Sequence, residues 1–245
     1  MAKPPCPHFT PHALSFFKKL ALNNDREWFN AHKAEYESHV KLPMLSLLAW
    51  MNTRLATFAV DHVTEPKKAI YRLHRDTRFS KNKTPYKLNV SAMFGHRLLP
   101  KNNCAGFYFH VSAAECFVGV GVYMPEPDAL KAIRDKIAAD PKAFRAMIST
   151  PALKKRVGAL DGEKLVRVPK AFAPDHPAAD FLRMKQFCFF KQFPAKAALD
   201  AGFGKQVADC FEACAPFNAW LNKIILSCVP EGDDGRVEGR PTPMF

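Results

Sequence analysis

Residues 105–124 read AGFYFHVSAAECFVGVGVYM, and the spacing of their apolar side chains decides the fold class. In the second half, Cys116, Val118, Val120, Val122 and Met124 fall two apart and share one face of a strand, with Gly119 and Gly121 on the other. AGFYFHV has the same period, and the short turn SAA joins the two segments into a β-hairpin. A four-residue turn sets Tyr108 opposite Gly119 and His110 near Phe117.

Upstream, AIYRLH alternates with Ala69, Tyr71 and Leu73 on one face, and YKLNVSAMF alternates with Leu88, Val90 and Ala92 on one face. Both predict strands beside the hairpin. The first third reads as helix. Thr10-Pro11 supplies a cap and a first helical residue, and HALSFFKKLAL places Leu14, Phe17 and Leu20 on one side. Asn24 with Glu27 three residues later predicts a capping box, and Pro43 opens a further helix. Downstream, Asp128 is expected to cap ALKAIRDKIAA. DPKAFRAMI and TPALKKRV each begin with a cap residue followed by proline. KLVRV and MKQFCFF read as short strands, and residues 204–228 as a final helical region interrupted at Pro216.

The expected fold is therefore α+β: N-terminal helices, a central, mainly antiparallel sheet with a β-hairpin, and C-terminal helices packed on the sheet. We expect a single domain over residues 1–229 and a mobile, polar, Gly/Pro-rich tail over residues 230–245.

The 245 residues carry a formal net charge of +13. From Lys67 to Lys101 there are ten basic residues and one acid, Asp76, so this window holds +9 of that excess. Such a surplus favours nucleic acid, phosphorylated small molecules or other polyanions. No secretory signal is visible, and no stretch approaches the ~18 to 20 apolar residues that cross a bilayer. The seven cysteines include no CxxC pair and lie mostly in apolar surroundings, as suits free thiols in a cytoplasmic protein.

NNDREWF (23–29) and RDTRFSKNKTPYK (75–87) resemble blocks of a widespread bacterial family, domain of unknown function 2461. AGFYFHV, GVGVYMPEPDAL and VPKAF with DHP (175–177) are similar to its later blocks, in the same order, over roughly Leu14 to Phe193. Asn82 stands where the family has an acid, and His74 where an aromatic is usual. The resemblance implies a single domain and directs attention to the basic block. It implies no reaction.

In that block, period two puts Arg72, His74, Asp76 and Arg78 on one side of an extended strand and Arg75 on the other. A strand-loop-strand path brings Arg72, Arg75, Arg78, Lys83 and Lys87 together as an anion clamp, with Ser80 donating a hydroxyl and Tyr86 at the start of the next strand. Guanidinium forks and ammonium groups suit phosphate or carboxylate. Asp76 orients an arginine or transfers a proton. His110 is a general acid/base candidate, and Tyr108, Gly119 and Gly121 form a pocket wall beside it. A solvated basic hairpin and close helix packing over the glycines are the plainer readings of the same residues. Cys210 and Cys214 read as core, Asp175-His176 as the start of a helix, and no metal or cofactor is expected. The partner is a phosphate-bearing small molecule or nucleic acid, with no membrane. Binding module and enzyme both stay open, as does the oligomeric state.

Overall fold

In the computed structural model, which describes residues 6–229, the two alternating segments pair as β2 (Gly106–Ser112) and β3 (Glu115–Val122). Tyr108 lies opposite Gly119, and His110 opposite Phe117. β1 (Asn89–Phe94) adds to β2, and β5 (Phe187–Pro194) adds to β3. β4 (Leu160–Asp161) pairs with β5. All pairings are antiparallel, giving a five-stranded sheet in the order β1-β2-β3-β5-β4.

Helices precede the sheet: α1 (Pro11–Leu22), α2 (Arg26–Ala31), α3 (Lys33–Tyr36), α4 (Leu42–Phe58) and α5 (Pro66–Ala69). After β3 come α6 (Pro127–Ala139), α7 (Pro141–Ile148) and α8 (Pro151–Arg156), then α9 (Ala179–Leu182) before β5 and α10 (Phe203–Leu226) after it. Asp140 and Thr150 cap α7 and α8, each accepting a backbone N–H three residues on and each followed by proline.

One face of the sheet packs on α10. The Phe107 and Phe109 rings meet Phe211 at 5.0 and 6.4 Å, and Phe189 meets Phe217 at 5.2 Å. These rings are fully buried, and each contributes roughly 1.5–3 kcal/mol of apolar burial. Asn222 holds both the N–H and the C=O of Ala105 (2.8 and 3.0 Å), and Asn218 donates to the Gly106 carbonyl, so α10 also fixes where β2 begins. The other face carries the polar Ser91 of β1 and His110 and Tyr108 of β2, with Met93 of β1 opposite Tyr108. The helices before and after the sheet share one buried apolar cluster with it.

Several expectations are corrected. The final helical region is one unbroken helix, because Pro216 sits on its exposed face, where solvent can serve the carbonyl left without a donor. The cap of α6 is Glu126 followed by Pro127, which moves Asp128 into the first turn. KLVRV forms no strand, only a single bridge from Lys164 to Met184. AIYRLH is not a regular strand either. It runs antiparallel to residues 85–92 through Tyr71 N–H to Ser91 (2.8 Å), the Lys87 N–H to Leu73 (2.9 Å) and Arg75 N–H to Pro85 (2.8 Å). Bridges join Ile70 to Ala92 and His74 to Tyr86. The residue sums of the two bridges differ by two, so the ribbon is broken by a bulge near Leu88 that interrupts the ladder. The alternation survives: Tyr71 and Leu73 are buried, Arg72 and His74 exposed. The tail expected at residues 230–245 lies outside the described residues.

Among the described residues no helix is long and apolar enough to cross a membrane.

Candidate functional site

Residues 75–85 form the tip of the irregular ribbon, and most of its cations bind the tip itself. The Arg75 guanidinium donates to the Thr84 hydroxyl and carbonyl and to the Ser80 hydroxyl. Arg78 forms a two-pronged pair with Asp76, Nε to Oδ1 at 3.0 Å and Nη2 to Oδ2 at 2.7 Å. The Lys83 ammonium donates to the Thr77 carbonyl at 2.9 Å. Hydrogen bonds from Arg78 hold the Asp76 carboxyl down at about 2, so Asp76 is a fixed anion at neutral pH. It orients Arg78 and is not poised to exchange a proton.

The exit of the loop is anchored by a residue assigned above to a helix cap. Asn24 does not begin a capping box: Asp25 caps α2 by accepting the Trp28 N–H at 2.8 Å. The Asn24 amide instead donates to the Tyr86 carbonyl and accepts the Tyr86 N–H, both at 3.0 Å. An amide carries a donor and an acceptor side by side, so one side chain substitutes for a neighbouring strand. The Tyr86 ring is thereby turned into the N-terminal core, stacked 4.3 Å from Phe29, and is buried. It is unavailable for stacking a ligand.

Lys87 is different. It is only 9% exposed, its ammonium lies 5.2 Å from the Tyr71 ring centre, and it has no hydrogen-bond acceptor or carboxylate among the described residues. Burial, aided by Arg72, lowers its pKa to about 8. Lys101 reaches the same ring at 4.3 Å and donates to the carbonyls of Lys68 and Ala69 at the end of α5. Burial lowers its pKa to about 8 as well, and Lys87 adds to the effect. Arg72 is exposed and forms no ion pair among the described residues. Tyr71 thus carries two lysines, one of them tied to carbonyls and one with no acceptor.

Tyr71 also connects the ribbon to the polar face of the sheet. Its ring is 6.3 Å from that of Tyr108, and its hydroxyl contacts the Met93 sulfur at 3.3 Å. The Tyr108 hydroxyl is 3.1 Å from His110 Nδ1, and His110 Nε2 is 3.7 Å from Glu115 Oε1. A phenol donating to Nδ1 leaves the proton on Nε2, facing Glu115. Burial lowers the His110 pKa while Glu115 opposes that shift, so the buried ring is neutral at pH 7. The two glycines of the expected pocket wall are used for packing. A Cβ on Gly121 would collide with the Phe187 carbonyl, and its φ of +132° lies where side chains are rarely tolerated. A Cβ on Gly119 would touch Phe117 and Phe190.

Of the expected anion ligands, Arg72 and Lys87 stay available, whereas Arg75, Arg78, Ser80 and Lys83 are engaged within the loop. Tyr71, Lys101, Asn24 and Glu115 were missed. Glu115 was legible from the hairpin register, five residues after His110 across a tight turn. Lys101 was not, because its contact with Tyr71 spans thirty residues of irregular chain.

Elsewhere, a pocket of about 420 Å³ is lined by Asp61, His62, His96 and Asn222 among others. His62 is buried with Nδ1 on the Phe94 carbonyl (3.1 Å) and Nε2 on Asn222 (3.3 Å), which marks it as a core histidine with both nitrogens in use. No group of three or more metal-binding side chains occurs among the described residues. His176 accepts the Ala178 N–H at 3.0 Å and so shapes the turn before α9. The described cysteines are free thiols.

A family model described as a conserved hypothetical protein (DUF2461) matches residues 12–220. No curated protein matches the chain.

Proposed function

The chain belongs to the conserved hypothetical protein family DUF2461, and on that footing we propose that it binds a phosphate-bearing ligand at Arg72, Lys87 and Lys101, around Tyr71. The observation that carries this reading is Lys87. A lysine nine-tenths buried as a residue, beside two other cations and without an acceptor for its ammonium, is costly to the folded protein. An anion with several oxygens would relieve it, and those of phosphate can accept from an ammonium and a guanidinium at once. The neutral imidazole of His110, in line with Tyr108 and Glu115, supports a catalytic version in which that ring moves a proton on the bound ligand.

A second reading has its own observation. Phe79, at the tip of the basic loop, is 93% exposed with the Arg78 guanidinium 5.5 Å from its ring centre. An exposed aromatic among cations is the element that stacks a base of single-stranded nucleic acid.

A thermal-shift screen separates the two. Inorganic phosphate, nucleotides, sugar phosphates and short oligonucleotides are tested against the wild type, Lys87→Met and Phe79→Ala. Stabilisation by small phosphates that is lost in Lys87→Met supports the first reading. Stabilisation by oligonucleotides alone, falling steeply with salt and lost in Phe79→Ala, supports the second. If no anion shifts the wild type, both fail.

A further inference from the structure

A cleft of about 620 Å³ opens between α7, α8, α9 and the turn into β4. None of these elements carries a residue of the anion site. Its walls are apolar, formed by Ile148, Ala159, Leu160 and Phe181, with Arg145 and Lys154 also lining it. The volume lies within the range of small-molecule sites.

The sequence builds this space in a specific way. α7 and α8 are short, each started by its own cap and proline, so the chain turns sharply twice and leaves a notch between them. Gly158 then turns the chain toward β4 with φ of +88°, and a Cβ there would meet nothing within 4 Å. The cations are arranged differently. Arg145 is fixed against the cleft wall: its Nη2 donates to the Pro177 carbonyl at 2.6 Å, and its guanidinium lies 4.9 Å from the Phe181 ring centre. Lys154 is exposed. Neither forms an ion pair among the described residues. An apolar hollow with two uncompensated positive charges complements a molecule that is apolar along its body and anionic at one end. Inorganic phosphate has no apolar part to bury, and a neutral hydrocarbon leaves both charges unanswered.

We infer that this cleft binds an amphiphilic organic acid, its hydrocarbon body on Ile148, Leu160 and Phe181 and its carboxylate on Arg145 and Lys154. The acid's head accepts from the guanidinium donors that Pro177 does not use.

The probes are octanoate, octanol and inorganic phosphate, followed by calorimetry and thermal melts. Octanoate should bind the wild-type protein and octanol about tenfold more weakly, a difference of one charge-assisted contact. Ala159→Trp fills the cleft and should abolish octanoate binding. The double variant Arg145→Ala, Lys154→Ala should bring octanoate down to the level of octanol. Absence of octanoate binding to the wild type overturns the inference, and so does equal binding of octanoate and octanol or octanoate binding that survives Ala159→Trp. The double variant changes two exposed side chains, so it decides the matter even if Ala159→Trp folds poorly. Loss of octanoate binding with the phosphate response intact separates this cleft from the site at Lys87.

Discussion

Replacing Lys87 by methionine should make the ligand-free protein more stable and deaf to phosphate. Methionine keeps an unbranched apolar stem against Tyr71 and removes the ammonium. The size follows from the pKa. Burial and Arg72 hold Lys87 at about 8 instead of 10.5, a gap worth up to about 3 kcal/mol. Residual contact with solvent reduces this to about 1–2 kcal/mol, or roughly 2–8 °C in melting temperature for a chain of this size. The sign is fixed by linkage. The folded pKa is below the unfolded one, so between pH 8 and 10.5 the unfolded chain binds more protons and wild-type stability rises with pH. Lys101, also at about 8, contributes in the same window and direction.

Urea melts at pH 7 and pH 10, with and without inorganic phosphate, test this directly. At pH 7 K87M should exceed wild type. By pH 10 the advantage should shrink, because wild type has by then lost most of the Lys87 charge. Phosphate should stabilise wild type at pH 7, lose that effect as pH rises past 8, and leave K87M unchanged. A K87M protein less stable than wild type at pH 7 would refute the claim that this ammonium is unrelieved. Equal phosphate responses in the two proteins would refute its role in binding.

Two further outcomes are expected. Burial lowers His62 to about 4, so its contribution is fully present above about pH 6.5 and is lost as pH falls through 4, a change of up to about 3 kcal/mol; denaturant melts between pH 7 and 4 should show this loss in wild type and a shallower one in H62Q. Asn24→Ala removes both hydrogen bonds to the Tyr86 main chain, which should cost about 1–3 kcal/mol and speed amide hydrogen exchange at Tyr86 well beyond that at Phe109, in the middle of the sheet.

What was legible in the sequence was whatever a short period encodes. The hairpin register follows from Cys116 to Val122 alternating against a tight turn, and it correctly sets Tyr108 opposite Gly119. The caps of α7 and α8 follow from a cap residue before proline. Misreadings came where a residue had two competing uses. Asn24 suits a cap by composition, but the main chain of Tyr86, sixty-two positions away, claims both ends of its amide. Pro216 breaks helices in general, but on an exposed face between buried Cys214 and Phe217 the packing of the helix on the sheet outweighs one missing bond. Gly119 and Gly121 read as open space because a missing side chain looks the same whether a ligand or a backbone fills the gap.

Which cations of the basic block are bound to their own loop was not legible for a related reason. Charge density in a sequence counts cations and does not say which of them are already bound. In RDTRFSKNKTPYK the arginines sit beside Asp76, Ser80 and Thr84, which are near in sequence and can satisfy them locally. Local partners are found first because closing a short loop costs little entropy. Lys81 stays exposed within the loop, and the cations that gather elsewhere are those whose backbone directs them away from it. Lys87 lies past Pro85 on the returning segment, and Lys101 comes from the connection between β1 and β2; they meet only over Tyr71. The basic loop keeps its net charge but satisfies most of its cations with hydrogen bonds from within, whereas where the ribbon meets the sheet one nearly buried lysine is left without an acceptor. The polar chain from Tyr108 to Glu115 starts at that same junction.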